Sequence, residues 1–430
     1  MEEIHSKYYQ PLGALAHINP PLTKKVADSS EVSFVGMSAV TENGVLTDCP
    51  ARPYLSVKNG FTRFQNGDVL LAKITPCMEN GKGAHAKGLI NGVGCGSTEF
   101  HVLRASENTA PDYIFQITRD IEFRKKAEMN MTGSAGQRRV PSSFLNEYII
   151  FAPPLPQQQK IALILTTVDK LIEQTQALID KYTAIKQGMM ADLFTRGIDL
   201  SGTPETNSNY GQLRPSVEQA PELYKETELG WVPKEWEVTT LQEVSRVERG
   251  KFTHRPRDDS KCYGGTHPFI QTGSVTKANG GFIRNYSQTL SEFGRSVSKE
   301  FPVGTIAVTI AANIADTAIL DMPMCFPDSV VGVVVNEDVA EVRFIEVIIK
   351  LNKPRLDALA PLSAQKNINL EDLRPLKIRL PPMKEQRQIC NRYNTIQKNI
   401  DTNIVQMEKL KLQKKGLMQD LLTGKVQVNA

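Results

Sequence analysis

The sequence PPLPQQ at residues 153–158 returns as PPMKEQ at residues 381–386, which is 228 positions further along the chain. At the same spacing, KQGMMADLFT at residues 186–195 returns as KKGLMQDLLT at residues 414–423. A period of this length is far above the roughly 20–50 residues of a solenoid repeat. The chain therefore contains two copies of one half-molecule, and we expect a pseudo-two-fold repeat.

Between these motifs, each copy carries an apolar stripe at alternating steps of four and three residues. Eight of ten stripe positions are apolar in each copy, and the polar exceptions coincide: Thr175 with Asn403, and Lys186 with Lys414. This spacing is the a/d pattern of a coiled coil. It predicts two helices of about 37 residues, or roughly 55 Å at ~1.5 Å per residue, which cover each other's apolar stripes.

The polar stripe positions favour an antiparallel pair, although they are also compatible with an imperfect heptad. In an antiparallel pair we expect Thr175 to lie close to Asn403, where polar residues fix the register. Lys186 and Lys414 would then lie toward opposite ends, where an ammonium group extends into water. A parallel pair would bring the two lysines to the same level, which is electrostatically worse.

Two glycines occur at equivalent positions inside the predicted helices. Gly188 and Gly416 each cost about 1 kcal/mol relative to alanine in a helix interior. Their presence is either tolerated drift or a sign that another backbone or a partner subunit approaches closely. The coincidence in both copies favours such a close approach, and Gly188 and Gly416 are the candidate residues for partner docking.

The rest of the chain predicts an α+β protein with two β-rich globules. Turn dipeptides such as Asn43-Gly44 and Asn66-Gly67 interrupt short β-type runs in the first globule. The predicted order is a first globule at 1–152, a central helix at 153–197, a linker at 198–224, a second globule at 225–380, a C-terminal helix at 381–424 and a tail at 425–430.

A small polar segment precedes the last strand of each globule. Glutamine, arginine, lysine and asparagine are side chains that read base edges in a major groove, although the segments are also compatible with solvated turns. The glutamine has the same offset in both copies. The candidates are Gln137, Arg138 and Arg139 in the first globule, and Gln365, Lys366 and Asn367 in the second.

The second globule also begins with a basic stretch. Such a cluster is typical either of a loop that contacts phosphates or of a solvated basic face. The candidate phosphate contacts are Arg249, Lys251, Arg255 and Arg257. Residues 124–126, Arg-Lys-Lys, form a weaker counterpart in the first half.

Several classes of protein are disfavoured by the sequence. It contains no P-loop, no nucleophile elbow, no Asp/Asn-Pro-Pro-aromatic methyltransferase motif and no Cys-x-x-Cys pair, so we expect neither catalysis nor a metal site. The net charge is only +4, so any nucleic acid must be bound by local patches. The absence of an apolar signal or spanning segment predicts a cytoplasmic protein without membrane contact.

The motifs at 153–161, 188–195, 381–389 and 416–423, with the sequence ELGWVPKEW at 228–236, resemble the DNA-specificity subunit of type I restriction–modification enzymes. The first globule lacks the tryptophan-proline sequence that opens the second. The resemblance covers essentially the whole chain, and the doubled architecture makes it specific.

This resemblance implies that each globule is a target recognition domain that reads one half of a split, asymmetric double-stranded DNA sequence. It implies that the helices set the gap and bind two modification subunits, with S-adenosylmethionine on those partners. Restriction subunits with ATP and Mg would complete the complex, and this chain would be non-catalytic and bind no cofactor. The alternatives are a coiled-coil adaptor without sequence-specific DNA binding, and an enzyme that itself cuts or methylates DNA.

Overall fold

The computed structural model describes residues 8–134, 136–311, 313–360 and 367–429 of the chain. The chain divides into two compact units. The first unit contains Met1–Leu178 and Asn403–Ala430, and the second contains Ile179–Thr402. Each unit therefore combines one globule with parts of both long helices. In the part of the chain that is described, no helix has the length and apolar character needed to cross a bilayer.

Two helices of 39 residues each dominate the helical part of the protein. They begin directly after the paired prolines of the repeat, as the sequence predicts. The described α-helices are α1 Leu12–Leu15, α2 Tyr54–Val57, α3 Pro111–Arg119, α4 Ile121–Met129, α5 Ser142–Glu147, α6 Leu155–Leu193, α7 Leu241–Val244, α8 Thr272–Ala278, α9 Glu292–Ser296, α10 Val342–Leu351, α11 Lys353–Leu359, α12 Leu370–Leu373 and α13 Met383–Leu421. Short 3-10 helices lie at Met37–Ala39, Ile90–Gly92, Pro221–Leu223 and Ser260–Cys262.

The first globule contains two four-stranded sheets and a two-stranded one. Its strands are β1 Tyr9–Pro11, β2 Ala16–Ile18, β3 Glu31–Val35, β4 Ala51–Pro53, β5 Thr62–Gln65, β6 Val69–Ala72, β7 Gly83–His85, β8 Val93–Gly96, β9 Phe100–Ala105 and β10 Ile149–Phe151. The larger sheets have the orders β2-β9-β6-β7 and β4-β3-β8-β5, and β1 pairs with β10. Within the second of these sheets, β3 and β8 run parallel and the other pairs run antiparallel.

The second globule repeats this plan with one hairpin added before it. Its strands are β11 Tyr224–Thr227, β12 Gly230–Pro233, β13 Glu237–Thr240, β14 Ser245–Arg249, β15 Tyr263–Phe269, β16 Phe282–Ile283, β17 Gln288–Leu290, β18 Glu300–Phe301, β19 Ile306–Thr309, β20 Thr317–Leu320, β21 Met324–Cys325, β22 Val330–Val335 and β23 Lys377–Leu380. The sheet orders are β14-β22-β19-β20-β16 and β17-β15-β21-β18, and β13 pairs with β23.

The two globules therefore match in strand order, apart from β16, which is added at the edge of the second globule's larger sheet. The order β2-β9-β6-β7 corresponds to β14-β22-β19-β20, and β4-β3-β8-β5 corresponds to β17-β15-β21-β18. Even the parallel pair recurs, since β15 and β21 run parallel as β3 and β8 do. The predicted duplication is thus confirmed at the level of topology, where the globule sequences themselves have diverged.

Within each unit, the globule shares its hydrophobic core with the ends of the long helices. In the first unit, Ile161 of α6 and Leu421 of α13 are buried in one cluster with Phe123. In the second, Tyr393 of α13 is buried with Trp236. Each large apolar side chain that is buried contributes roughly 1.5–3 kcal/mol to stability. Because side chains of the globule and of the helix ends are buried in one cluster, they form a common core in each unit.

The two long helices pair in antiparallel orientation, as predicted. In the first unit, the early part of α6 meets the late part of α13, where Lys414 Nζ donates to Asp169 Oδ1 at 2.6 Å. In the second unit, the late part of α6 meets the early part of α13. There Lys186 donates to Gln397 Oε1 and lies 4.7 Å from the ring centroid of Tyr393.

Glycine ends each long helix, also as predicted. Gly197 follows α6 with φ +68° and Gly424 follows α13 with φ +71°. An L side chain is strained in this left-handed region, whereas glycine is not. Beyond Gly197, the predicted linker is hydrogen-bonded to the start of α13, because Ile198 N–H and Arg214 Nη2 donate to the carboxylate of Glu385 at 2.7 and 3.1 Å.

Candidate nucleic-acid interface

The predicted reading segment of the first globule is held by backbone pairing. Arg139 forms isolated bridges with Ile74 and Thr132, and Val140 N–H donates to the Lys73 carbonyl at 2.9 Å. Val140 itself is buried. The segment that precedes it is thereby fixed against the loop that follows β6, so that residues 136–138 are presented from a rigid base.

The side chains of this segment have different environments. Arg139 donates from Nε and Nη2 to the two carboxylate oxygens of Glu99, each at 2.9 Å. The hydrogen bond from Arg139 lowers the pKa of Glu99. Arg138 lies 3.6 Å from Glu79, and Gln137 is exposed. Gln137 and Arg138 are therefore better placed to reach a ligand than Arg139, whose guanidinium group is already held in a bidentate pair.

The second globule presents the matching segment in the same way. Asn367 forms a bridge with Ala311, and Ile368 N–H donates to the Ile310 carbonyl at 3.1 Å. Asn367 is exposed. In the repeat, Asn367 corresponds to Arg139. The two segments are therefore anchored by the same backbone pairing, but they have different side chains at this position. The predicted residues Gln365 and Lys366 lie outside the described residues.

The basic stretch of the second globule begins at Arg249, the last residue of β14, and continues through the connection between β14 and β15. Arg249, Lys251 and Arg255 are exposed, and Arg255 donates to the carbonyl oxygens of Phe252 and His254 at 2.9 and 2.8 Å. These two bonds orient the guanidinium group without neutralising its charge. The connection therefore presents several cations on an exposed surface, as a phosphate-binding loop requires.

One cation of this connection is paired in the structure. Arg257 Nη2 donates to Asp328 Oδ1 at 2.9 Å, and both side chains are about half exposed. Exposed ion pairs contribute only about 0–1 kcal/mol, so Arg257 remains available for exchange toward a phosphate group.

The counterpart of this connection in the first globule was missed at the sequence level. Because β2 corresponds to β14 and β3 to β15, the equivalent connection contains Lys24 and Lys25, both exposed. The signal in the sequence was the lysine pair after two prolines. The weaker counterpart expected at residues 124–126 is wrong for Arg124, which is 9% exposed and donates to the Met78 carbonyl at 2.6 Å.

The seam lysines do not extend into water, so that expectation is wrong. Lys414 is only 8% exposed and Lys186 is half-buried. Asp169 and Gln397, which lie beside the seam, supply hydrogen-bond acceptors to the lysines, and this offsets part of the cost of desolvation. Burial is the main cause that lowers the pKa of both lysines. In each unit, a neighbouring cation of that unit's globule lowers the pKa further.

The other polar residues of the seam are Thr175 and Asn403. Thr175 is buried, and its hydroxyl donates to the Leu171 carbonyl one turn earlier, at 2.7 Å. This back-bond satisfies the hydroxyl within its own helix. The closeness of Thr175 to Asn403 stays a prediction.

The helix glycines leave open space around them. A methyl group added at Gly188 or at Gly416 would meet no atom of a neighbouring described segment within 4 Å. A close approach by another backbone of this chain therefore does not explain either glycine, and partner docking stays a prediction.

The helices of the first unit also expose apolar side chains away from the seam. Leu171 and Leu178 of α6 and Val405 and Leu412 of α13 are all exposed, the last two at 70%. Each pair is seven residues apart, so its two members lie on one helix face. Exposed apolar side chains grouped in this way are typical of protein-binding surfaces.

The family model for the type I restriction modification DNA specificity domain matches residues 12–182 and 233–412. The chain belongs to this family. The two matched segments are the two halves of the repeat, each with its globule and most of its long helix.

Relatives in the family are named as specificity subunits. The type I restriction enzyme EcoAI specificity subunit of Escherichia coli is 36% identical over 188 residues, which cover 42% of this chain and 32% of that subunit. The putative MjaX specificity subunit of Methanocaldococcus jannaschii is 26% identical over 369 residues, or 84% of this chain and 79% of its own length. The chain thus spans about a third of the EcoAI subunit, and both relatives are named as specificity subunits.

Solved structures have the same fold. The type I restriction-modification system S subunit from M. genitalium has a TM-score of 0.57 at 13% identity and covers 96% of this chain and 95% of its own. A chain from the assembly of a type I R-M system has a TM-score of 0.51 at 17% identity, with coverages of 97% and 98%. The predicted architecture of two globules and two long helices is therefore confirmed.

Proposed function

We propose that this chain is the sequence-reading subunit of a type I restriction–modification complex and is not itself an enzyme. The observation that carries the proposal is that both globules hold the same segment by the same backbone pairing but with different side chains. The paired residue is Arg139 in one globule and Asn367 in the other. Two globules with one topology and different presented side chains suit a double-stranded target with two unlike halves. Membership of the specificity-domain family supports the same conclusion.

Base reading is assigned to the presented segments. Gln137 and Arg138 would read one half-site, and Asn367, with Gln365 and Lys366, would read the other. Amide and guanidinium groups form bidentate pairs with adenine and guanine edges, each worth about 1–3 kcal/mol of discrimination. Arg139 would keep its segment in place through Glu99 rather than read a base.

Phosphate binding is assigned to the connections that precede β3 and β15. Lys24 and Lys25 would contact the backbone beside one half-site. The second connection would contact it beside the other, through Arg249, Lys251, Arg255 and Arg257. Phosphate contacts give affinity and register but carry no sequence information, so substitutions here should weaken binding without changing the preferred bases.

The helical pair is assigned to partner docking and spacing. The space beside Gly188 and Gly416 and the exposed apolar residues of the first unit would receive the two modification subunits. S-adenosylmethionine would be bound by those subunits, and ATP and Mg would act with restriction subunits. The complex would work in the cytoplasm, where the DNA is.

The proposal is tested by expressing the chain with its cognate modification subunits and selecting duplexes from a random library. We expect one split motif with a fixed gap, and adenine methylation within it only when the modification subunits are present. Gln137→Ala should alter one half of the motif, and Asn367→Ala the other.

The same experiment separates the alternatives. Selection of no motif by a complex that assembles would support the adaptor and refute the proposal. Methylation or cleavage by the purified chain alone would show that it is an enzyme.

A further inference from the structure

At two positions of the repeat, one copy has a carboxylate residue and the other has a glutamine, whose amide is neutral. Asp169 of α6 corresponds to Gln397 of α13, and Glu385 of α13 corresponds to Gln157 of α6, both at the spacing of 228. The charged residue belongs to the first copy in one case and to the second copy in the other. The two halves of the molecule are therefore not equivalent where helices and globules join.

Asp169 joins three elements of the first unit. Its Oδ1 accepts from Lys414 Nζ at 2.6 Å, and its Oδ2 accepts from Gln116 Nε2 at 3.0 Å and from Arg119 Nη1 at 3.3 Å. Gln116 and Arg119 belong to α3 of the first globule, whereas Lys414 belongs to α13. One carboxylate thus pairs with two cations and connects the helical pair to the globule.

The equivalent site of the second unit has no such carboxylate. Gln397 Oε1 accepts from Lys186, but an amide cannot neutralise the lysine. Lys186 instead lies over the ring of Tyr393. Lys186 thus has a hydrogen bond to the residue at this position but no ion pair with it.

Glu385 forms the corresponding link of the second unit. It is 2% exposed, and its Oε1 accepts from Ile198 N–H at 2.7 Å. Its Oε2 accepts from Trp236 Nε1 and from Arg214 Nη2, each at 3.1 Å, and Arg214 is itself 5% exposed. The carboxylate therefore joins the start of α13 to the exit of α6, to the linker and to the start of the second globule.

We propose that Asp169 and Glu385 are positioning residues, each of which fixes one globule on the helical pair. Removing one partner of a largely buried ion pair leaves an uncompensated charge and is strongly destabilising. Rigid placement of both globules would hold the two half-sites at one gap length. Each half of the target then depends on a different carboxylate.

This inference rests on the proposed function, and its test uses the same complex of full-length chain and modification subunits. Random duplexes are selected with the unchanged chain, with Asp169→Asn and with Glu385→Gln. We expect both variants to keep both half motifs. The share of duplexes with a gap one base pair shorter or longer should rise at least about tenfold. Glu173→Gln, at an exposed position of α6, is the control and should keep the single gap.

Hydroxyl-radical footprints on the selected duplex assign each effect to one half. Asp169→Asn should weaken protection only over the half motif that Gln137→Ala alters, and Glu385→Gln only over the other. A single gap with reduced affinity or melting temperature would mean a merely structural role and would overturn the proposal. Weakened protection over both halves in either variant would overturn it as well.

A second variant covers the case in which Asp169→Asn does not fold. Asp169→Asn with Lys414→Gln removes the carboxylate and the buried ammonium group together and leaves only Arg119 charged, and the gap should still be relaxed. If the unchanged chain selects no split motif, the proposed function has failed. If it selects one and every variant keeps its gap, only this inference has failed.

Discussion

The repeated glutamine of the proline motifs, Gln158 in one copy and Gln386 in the other, connects each globule to the start of a long helix. Gln158 accepts from the Ala110 N–H at 3.0 Å and donates to the Pro153 carbonyl at 2.8 Å. Ala110 is the N-cap of α3. The side chain, which is buried, therefore satisfies a free N–H at the start of a globule helix and ties it to the start of α6.

Gln386 does the same for the second globule, with one more bond. It accepts from the Glu341 N–H at 2.9 Å, and Glu341 is the N-cap of α10. It donates to the carbonyl groups of Pro381 and Val339 at 2.8 and 3.1 Å. The side chain is fully buried.

The expected loss of stability follows from the number of hydrogen bonds that an alanine substitution would remove. At a net value of about 1 kcal/mol for each hydrogen bond, Gln158→Ala should cost about 2 kcal/mol and Gln386→Ala about 3 kcal/mol. Since about 1.4 kcal/mol is tenfold in an equilibrium constant, local opening should increase about 30-fold and about 150-fold, respectively.

Native-state hydrogen exchange measures these local openings separately. Gln158→Ala should speed exchange in the peptide 108–116 and leave 339–347 unchanged, and Gln386→Ala should do the reverse. Gln159→Ala, at the exposed neighbouring position, is the control. Equal acceleration in both peptides, or less than about threefold in the matching one, would refute the capping argument.

Three further predictions address docking, DNA affinity and acid stability. Gly188→Ala should stabilise the isolated chain by about 1 kcal/mol in a melting experiment, whereas Gly188→Leu should weaken assembly with the modification subunits; unchanged assembly would contradict docking there. Lys24→Ala with Lys25→Ala should reduce the salt slope of DNA binding by about 2 and keep the selected motif, and a changed motif would contradict phosphate contact. Hydrogen bonds from His85, and then from Lys87, lower the pKa of Asp112, so their stabilisation is present above the unfolded value near ~3.9 and is lost as the pH falls below it. Asp112→Asn should therefore flatten the fall in melting temperature below about pH 4.

The helical part of the fold was predictable because its signal is local and repeated. Alternating steps of four and three describe a surface that must be covered, and the paired prolines and the glycines at 197 and 424 mark its limits. The globules were predictable only as β-rich bodies. Their strand order depends on pairings between distant segments, such as β3 with β8, which carry no periodic signal along the chain.

The candidate site was predictable in residue type but not in residue role. Arg139 and Arg138 are neighbours with the same functional group, yet only Arg139 meets Glu99 in a bidentate pair. The equivalence of Lys24 and Lys25 with the second basic connection required the strand correspondence, since the two loops share no sequence motif. The seam lysines were expected in water because their partners, Asp169 and Gln397, lie off the a/d stripe.

The sequence by itself determined that the chain is doubled, that two long helices pair and that the family is the specificity subunits. These conclusions rest on periodicity and short motifs, which are properties of neighbouring residues. Only the tertiary structure decided which side chains are presented and which are held, because burial and ion pairing depend on residues far apart in the chain. The sequence shows that Asp169 and Glu385 each correspond to a glutamine in the other copy. Only the structure shows which buried groups these two carboxylates bind.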